Sequence, residues 1–434
     1  MSGIAGLVRL DGAPVAVADV EAMLAPMRRR GPDRQAARAE GNAGFGQALL
    51  ATTPEALAEH QPWVHPDTGC VVVSDSRLDN RPQLLAELGI ARPADEVGDG
   101  ELLHAAWQRW GEGCADRLRG DFAFALWDPK AQSLFCARDI MGVRPFCFHH
   151  VPGKLFAFAS DTDALLGLPD VPRRINEGRI ADALMGDLEG IDRTSTFWLD
   201  AERLPPARTL QVDASGALQA EYWHPLMHRP TDLPTTEAGW VEAVRSTLEA
   251  AVRDRLRGIG RVGSMVSGGL DSSSVAALAQ GMLPPGERLP TFSAVNSQGP
   301  CIETECVRAM VDSFAFDAHL VDLAALDAVT PAVHDQLDHM VEPFDGTMPL
   351  VSAVYATAAQ AGVRCVMDGV PADNLYSVGD HYRGLARTRQ WRLLWAEALA
   401  THRAARTRWP RLRALRSCLG AAVPAPFRRP WDAW

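Results

Sequence analysis

The chain has 434 residues and a formal net charge of −11. Its length fits two or three domains rather than one core, and its acidity argues against general nucleic-acid binding. No run approaches the ~18 uncharged apolar residues of a membrane span, the first ten residues lack the basic region of a signal peptide, and the eight cysteines form no Cys-x-x-Cys, so a reduced, cytoplasmic protein without a zinc ribbon or disulfide framework is expected.

Residues 1–225 read as strands broken by short turns. The apolar runs 71–73, 122–127, 134–137 and 155–159 have strand length. Asp128-Pro129-Lys130 and Pro152-Gly153 are turns between them. A helix is expected over 100–110, which makes this part an α+β sandwich. Residues 226–236 carry two prolines and read as a linker.

The pattern then changes. Over 237–400 the expected order is a helix (237–257), a strand (262–266), a Gly/Ser turn and a helix (272–280). A strand (291–295), a helix (303–314) and a strand (319–323) follow. A helix over 351–361 is closed by Gly362 as C-cap, and a strand over 363–367 enters the turn Asp368-Gly369. Such alternation predicts an α/β fold with a parallel sheet covered on both faces. Residues 401–434 form an Arg-rich C-terminal segment. The last lysine is Lys154, and residues 381–434 hold twelve arginines against Glu397 and Asp432. That excess reads as a solvated helical face or as a surface for an acidic partner.

One segment carries a chemical signature. Gly263-Ser264-Met265-Val266-Ser267-Gly268-Gly269-Leu270-Asp271-Ser272-Ser273 lies between a predicted strand and a predicted helix. Paired glycines let the backbone turn tightly, so that its N–H groups face one concavity. The helix start adds partial positive charge there. Ser267, Ser272 and Ser273 supply hydroxyls, and Asp271 suits a Mg2+ that accompanies a phosphate. The competing reading is a plain strand–turn–helix with Asp271 as N-cap. A Walker A loop is excluded because no lysine is present. Gly258-Ile259-Gly260-Arg261-Val262-Gly263 matches a dinucleotide fingerprint by letter but precedes the strand instead of following it. His334 and His339, five residues apart, fall on different helix faces and do not form a zinc motif.

Ser267-Gly268-Gly269-Leu270-Asp271-Ser272 resembles the pyrophosphate loop of ATP pyrophosphatases. The rest of the chain is similar to asparagine synthetase and its relatives, which include the lasso-peptide macrolactam synthetases. The resemblance rests on Arg30-Gly31-Pro32-Asp33, on 120–128 from Gly120-Asp121 to Trp127-Asp128, and on Ala137-Arg138-Asp139 with Gly142-Val143-Arg144-Pro145. It extends to Phe158-Ala159-Ser160, Arg203-Leu204-Pro205-Pro206 and Tyr222-Trp223. It implies an N-terminal-nucleophile (Ntn)-hydrolase-like glutaminase domain followed by an ATP pyrophosphatase domain that turns a carboxylate into an acyl-AMP. An amine then displaces AMP. By this resemblance ATP and Mg2+ are the cofactors, and Met265, Ser267, Gly268, Gly269, Leu270, Asp271, Ser272, Ser273, Ala294 and Gly369 contact the nucleotide. Asp271 and Asp373 hold the metal and act in catalysis. The second site falls on the 368–374 turn, where Val370 and Asn374 replace acidic residues.

Departures from the pattern refine this. Ser2 stands where functional glutaminases of the family carry cysteine, and a hydroxyl is far less acidic than a thiol. No arginine occurs near Gln47-Ala48-Leu49-Leu50, and the family's Asn-Gly oxyanion pair is replaced around Ser74-Asp75-Ser76. Losing one oxyanion donor costs ~10²–10³ in rate. The N-terminal domain is therefore expected to be a degenerate glutaminase, with Ser2 in the nucleophile position. Without an ammonia source, the acceptor amine is expected on the substrate itself. A peptide or amino-acid carboxylate substrate follows, with a precursor peptide and its processing proteins as partners, and no nucleic acid or membrane. Glutamine- or ammonia-dependent asparagine synthesis is the alternative. A truncated, non-catalytic binding or scaffold homologue is another, because the resemblance implies a downstream lysine on the leaving pyrophosphate and none is present.

Overall fold

The computed structural model describes residues 1–185, 192–213, 216, 218–222, 233–340, 348–370, 381–404 and 408–422. Residues Met1–Asp368 form one compact unit and Gly369–Trp434 a second.

The first part of the large unit holds twelve strands. In chain order they are β1 (Gly3–Arg9), β2 (Arg34–Glu40), β3 (Ala43–Leu49), β4 (Trp63–Val64), β5 (Val71–Leu78), β6 (Gly120–Asp128), β7 (Ser133–Arg138), β8 (Cys147–Val151), β9 (Leu155–Ala159), β10 (Glu202–Arg203), β11 (Arg208–Val212) and β12 (Leu218–Tyr222). They pair into two antiparallel six-stranded sheets ordered β10-β8-β9-β1-β3-β2 and β12-β11-β7-β6-β5-β4. The apolar runs are strands buried on both faces. In β6, Ala123, Ala125 and Trp127 face the other sheet with Ile4, Phe45 and Val73. Phe122, Phe124 and Leu126 alternate onto the outer face, against Leu84, Leu102 and Leu103, which lie in the helices Arg81–Leu88 and Asp99–Trp110. The helix Val17–Leu24 covers the far side of the first sheet through Val20, Met23 and Leu24. The result is a four-layer α/β/β/α sandwich. Each fully buried phenylalanine contributes about 1.5–3 kcal/mol, so a strand with two sides buried is held strongly without any polar face.

The second part of the large unit begins with the helix Glu237–Leu256, capped by Thr236, whose hydroxyl accepts from the Gly239 N–H. Four strands follow: β13 (Val262–Met265), β14 (Pro290–Val295), β15 (Asp317–Asp322) and β16 (Cys365–Met367). They form a parallel sheet ordered β15-β14-β13-β16. One face packs on Val252, Ala276 and Ala279, the other on Val333, Ala353 and Val354. Gly362 adopts φ +74° after the helix Met348–Gln360, and Val363 N–H returns to Ala358 O at 3.0 Å. The chain runs outward from β13 through β14 to β15, then comes back on the other side of β13 as β16. The order therefore reverses at β13, and ligands of open parallel sheets bind at the carboxyl end of such a switch point.

In the small unit, the helices His381–Arg387, Trp391–Ala404 and Pro410–Ala422 pack around Leu385, Ala386 and Leu394. No helix among the described residues is long and apolar enough to cross a membrane. Most of the 226–236 segment lies outside the described residues.

Candidate active site

The segment after β13 sits at the switch point. Val266 N–H bonds to Phe292 O at 3.0 Å, which ties the strand's exit to β14. Gly268 then turns the chain at φ +80°. A Cβ there would lie 2.6 Å from Cys306 Cβ and 3.0 Å from the Val307 nitrogen, so the turn is pressed against the helix Ile302–Ser313. The next helix runs Leu270–Met282 with Gly269 as N-cap, two residues earlier than the sequence suggested. Asp271 is consequently a first-turn residue and not the cap. Ser267 N–H donates to Ser272 Oγ at 3.1 Å, and the two hydroxyls are 3.0 Å apart. This staple folds the loop back on the helix start. The amides of Leu270, Asp271 and Ser272 have no intrahelical carbonyl to meet, and the neighbouring Ser267, Gly269 and Leu270 are exposed. Ser273 Oγ, in the same turn, is buried with no hydrogen-bond partner among the described residues.

Those features fit a phosphate chain with its cation. Orphan helix amides and a helix dipole favour an anion, the unpartnered Ser273 hydroxyl offers a donor, and the half-buried Asp271 offers an oxygen ligand. Met265 is the last residue of β13, and Ala294 lies two residues beyond Phe292, the partner of Met265 in β14. Asp368 follows β16, where Tyr355 Oη donates to Asp368 Oδ2 at 3.4 Å, a pairing 13 residues apart with no local mark in the chain. Gly369 is the next residue in the chain and opens the small unit. Asp373 lies outside the described residues, as does Asn374.

An alanine at position 268 faces both a left-handed φ and a 2.6 Å clash with Cys306 Cβ. Gly268→Ala is expected to destabilise by about 1–3 kcal/mol and to weaken Mg2+-ATP binding. Gly269→Ala meets only Ser267 Oγ at 3.4 Å and should do neither to the same degree. Melting curves and calorimetry on the two variants check this, and equal behaviour would contradict the packing described.

Around Ser2 the polar groups bond mostly to one another. Ser2 is buried, and its Oγ accepts from Leu50 N–H at 3.0 Å. Gln47 Nε2 donates to Ser74 O at 2.8 Å, and Leu49 beside it is buried. Ser74 N–H donates to Gln61 Oε1 at 2.6 Å, and Gln61 Nε2 donates to Ser74 Oγ at 2.8 Å. Ser76 Oγ donates to Asp99 Oδ2 at 2.7 Å. Asp75, 3 % exposed, has Arg144 at 3.4 Å on one oxygen and no hydrogen-bond partner on the other. Burial lowers the pKa of the chain-start amine from its ordinary value, with Asp75 opposing. A cavity of about 710 Å³ opens here, lined among others by Met1, Arg30, Arg138, Asp161 and His339.

An antiparallel two-sheet sandwich continued by a parallel sheet, with a glycine turn and a helix start at the switch point of that sheet, is the architecture of a two-domain amidotransferase-like protein. Comparison agrees. Residues 1–223 match the glutamine amidotransferase domain family, and residues 243–431 match the asparagine synthase family. The chain belongs to the asparagine synthetase-like family. It is 30% identical over 264 residues to asparagine synthetase (glutamine-hydrolyzing) 3 of Bacillus subtilis, covering 60% of this chain and 42% of that protein. It is 26% identical over 388 residues to the amidase chyE of Penicillium rubens, covering 85% and 56%. The chain thus spans about half the length of these relatives.

Proposed function

We propose that the chain is an ATP-dependent amide ligase that adenylates a carboxylate and passes the acyl group to an amine carried by the substrate itself, most simply a peptide closed into a macrolactam. The observation that carries this reading is the contrast between the two centres. At 267–273 the amides of Leu270, Asp271 and Ser272 have no intrahelical carbonyl and Ser273 Oγ has no partner among the described residues, whereas around Ser2 the Ser74 N–H donates to Gln61, Ser76 Oγ donates to Asp99, and Ser2 Oγ accepts from Leu50 N–H.

In this reading the first-turn amides and Ser273 Oγ bind the β- and γ-phosphates of ATP. Asp271 and Asp373 would hold Mg2+, which when bound screens the charge of the departing pyrophosphate. The substrate carboxylate attacks the α-phosphorus, giving acyl-AMP and pyrophosphate. The amine then attacks the acyl carbon and AMP leaves. A precursor peptide and its processing proteins are the expected partners, and the cytoplasm the expected location. Asparagine formation from aspartate and ammonia is the second reading, favoured by the name of the Bacillus subtilis relative.

The test measures pyrophosphate and glutamate separately. Pyrophosphate release is expected only with Mg2+-ATP and a peptide bearing an N-terminal amine and an acidic side chain. No glutamate should appear from glutamine, in the native chain or in Ser2→Cys, because Asp75 and the engaged Ser74 amide still oppose an oxyanion. Release driven by aspartate and ammonia would favour the second reading.

A further inference from the structure

The retained glutaminase motifs have a use that needs no glutamine. Asp33, at the end of Arg30-Gly31-Pro32-Asp33, is held in a fork by Arg364, with Nη1 at 2.7 Å and Nη2 at 2.8 Å from its two oxygens. Arg364 Nη1 also donates to Ala51 O at 3.0 Å, and Ala51 N–H donates to Asp33 Oδ2 at 2.8 Å. The hydrogen bond from Arg364 holds the Asp33 carboxyl below its usual range. Gly31 fixes this loop against β3, since a Cβ there would fall 2.0 Å from the Ala48 carbonyl carbon. Arg364 is the residue immediately before β16.

A second grip lies just before β13. Arg255 pairs with Asp121, the aspartate of the Gly120-Asp121 motif, through Nη2 at 2.8 Å, and lies 3.1 Å from Asp79. Arg257 pairs with Glu55 and donates to Leu78 O at 2.9 Å. Arg77 Nη2 donates back to Asp254 O at 2.6 Å and to Arg257 O at 2.8 Å, and Ile259 N–H meets Thr52 O at 3.0 Å. Sandwich and sheet are therefore locked in both directions.

These two grips hold the roots of adjacent strands. β13 and β16 are paired in parallel, Val262 with Cys365 and Ser264 with Met367. The strands have four and three residues, so at ~3.3 Å per residue little more than ~10 Å separates root from tip. The tips carry the 267–273 loop and Asp368. We propose that Asp33 and Asp121 are positioning residues for the nucleotide site: through Arg364 and Arg255 they set the relative placement of β13 and β16, and the sandwich is kept as their anchor. Isolated surface pairs are worth little, but a bidentate fork on a strand root transmits geometry as well as energy.

The inference rests on the ligase reading for its nucleotide arm only. The full chain is compared as native, Arg364→Gln, Arg364→Lys and Asp33→Asn. Arg364→Gln is expected to weaken Mg2+-ATP binding roughly five- to tenfold, the usual size of coupling between linked sites. Melting should be nearly unchanged and Arg364→Lys should partly recover affinity, which a merely structural pair would not produce. Amide exchange over 262–268 and 365–368 should accelerate in Arg364→Gln and Asp33→Asn, with the rest of the chain unaffected. Native affinity together with native exchange in both variants overturns the proposal. If the native chain binds no Mg2+-ATP, the ligase reading falls, and exchange alone decides the anchor.

Discussion

Asp271→Ala is expected to abolish Mg2+-dependent ATP binding and, with it, pyrophosphate release, while the chain stays folded. Among the described residues Asp271 sits in the first turn after Gly269, beside three helix amides without intrahelical partners and a buried, unpartnered Ser273 hydroxyl. Amides and a helix dipole attract phosphate alone. A carboxylate in that company repels bare phosphate, so in the ligase reading a cation stands between them. Two magnitudes separate the readings. A first-turn carboxylate that merely complements the dipole contributes about 0.3–1 kcal/mol, and its loss would lower stability slightly and leave nucleotide affinity alone. Loss of a preorganised electrostatic contact, of which an oxyanion-hole donor is the measured case, costs about 10²–10³ in rate, and loss of a cation ligand removes the Mg2+-dependent part of nucleotide affinity as well. Calorimetry with Mg2+-ATP, paired with a melting curve, distinguishes them. A variant that binds ATP as tightly as the native chain makes Asp271 a helix-start residue and removes the cradle.

The parallel part of the fold was legible because its signals are local. A short apolar run, a Gly/Ser turn and a helix repeat within about thirty residues, and Gly362 closes its helix as its type suggests. The helix start was read two residues late because Asp271 and Ser272 look like caps, whereas the backbone gives the N-cap to Gly269 at φ −71° and ψ 161°. In the sandwich, runs such as 122–127 announced strands, but not that alternate residues serve two different cores. Periodicity cannot reveal this when both faces are apolar. The grips at Arg255 and Arg364 were invisible for another reason. Their partners lie 134 and 331 residues away, and an arginine in an Arg-rich chain carries no local mark of its partner. Asp33 stands out in the sequence as part of the Arg30-Gly31-Pro32-Asp33 motif, but nothing in the chain points from it to Arg364. The departures around Ser2 are visible in the sequence, while the partners of Ser74 and Ser76, Gln61 and Asp99, needed the fold to be found.

Arg81→Met is expected to be among the most damaging substitutions in the sandwich, and its cost should grow with pH. Arg81 is 2 % exposed and pairs with Asp99; its Nε is 3.6 Å from Glu55, and Nη2 donates to Ala94 O at 3.0 Å. Burial pushes Glu55 up, but Arg81 and Arg257 outweigh it and leave its pKa lowered. Asp99 stays raised, since burial exceeds what Arg81 returns. Glu59, which accepts from Gly100 N–H, is pushed up to about 7 by burial and then by Asp99. Removing one partner of a buried ion pair costs about 3–5 kcal/mol, because the other charge is left without compensation. For a domain of this size that corresponds to roughly 10 °C in Tm. The pH dependence follows from the direction of the shifts. A carboxyl whose folded pKa lies above its unfolded value adds stability below the unfolded pKa and loses it as pH rises through the folded one. Glu59 already imposes such a decline on the native chain between about pH 4.3 and 7. Without Arg81, Asp99 rises further and joins it. Urea unfolding at pH 5 and pH 8 should therefore show a larger Arg81→Met penalty at pH 8. A penalty below about 1 kcal/mol and equal at both values would mean that water reaches the cluster and screens it. Asp99 and Glu55 would then not depend on Arg81 to stay buried.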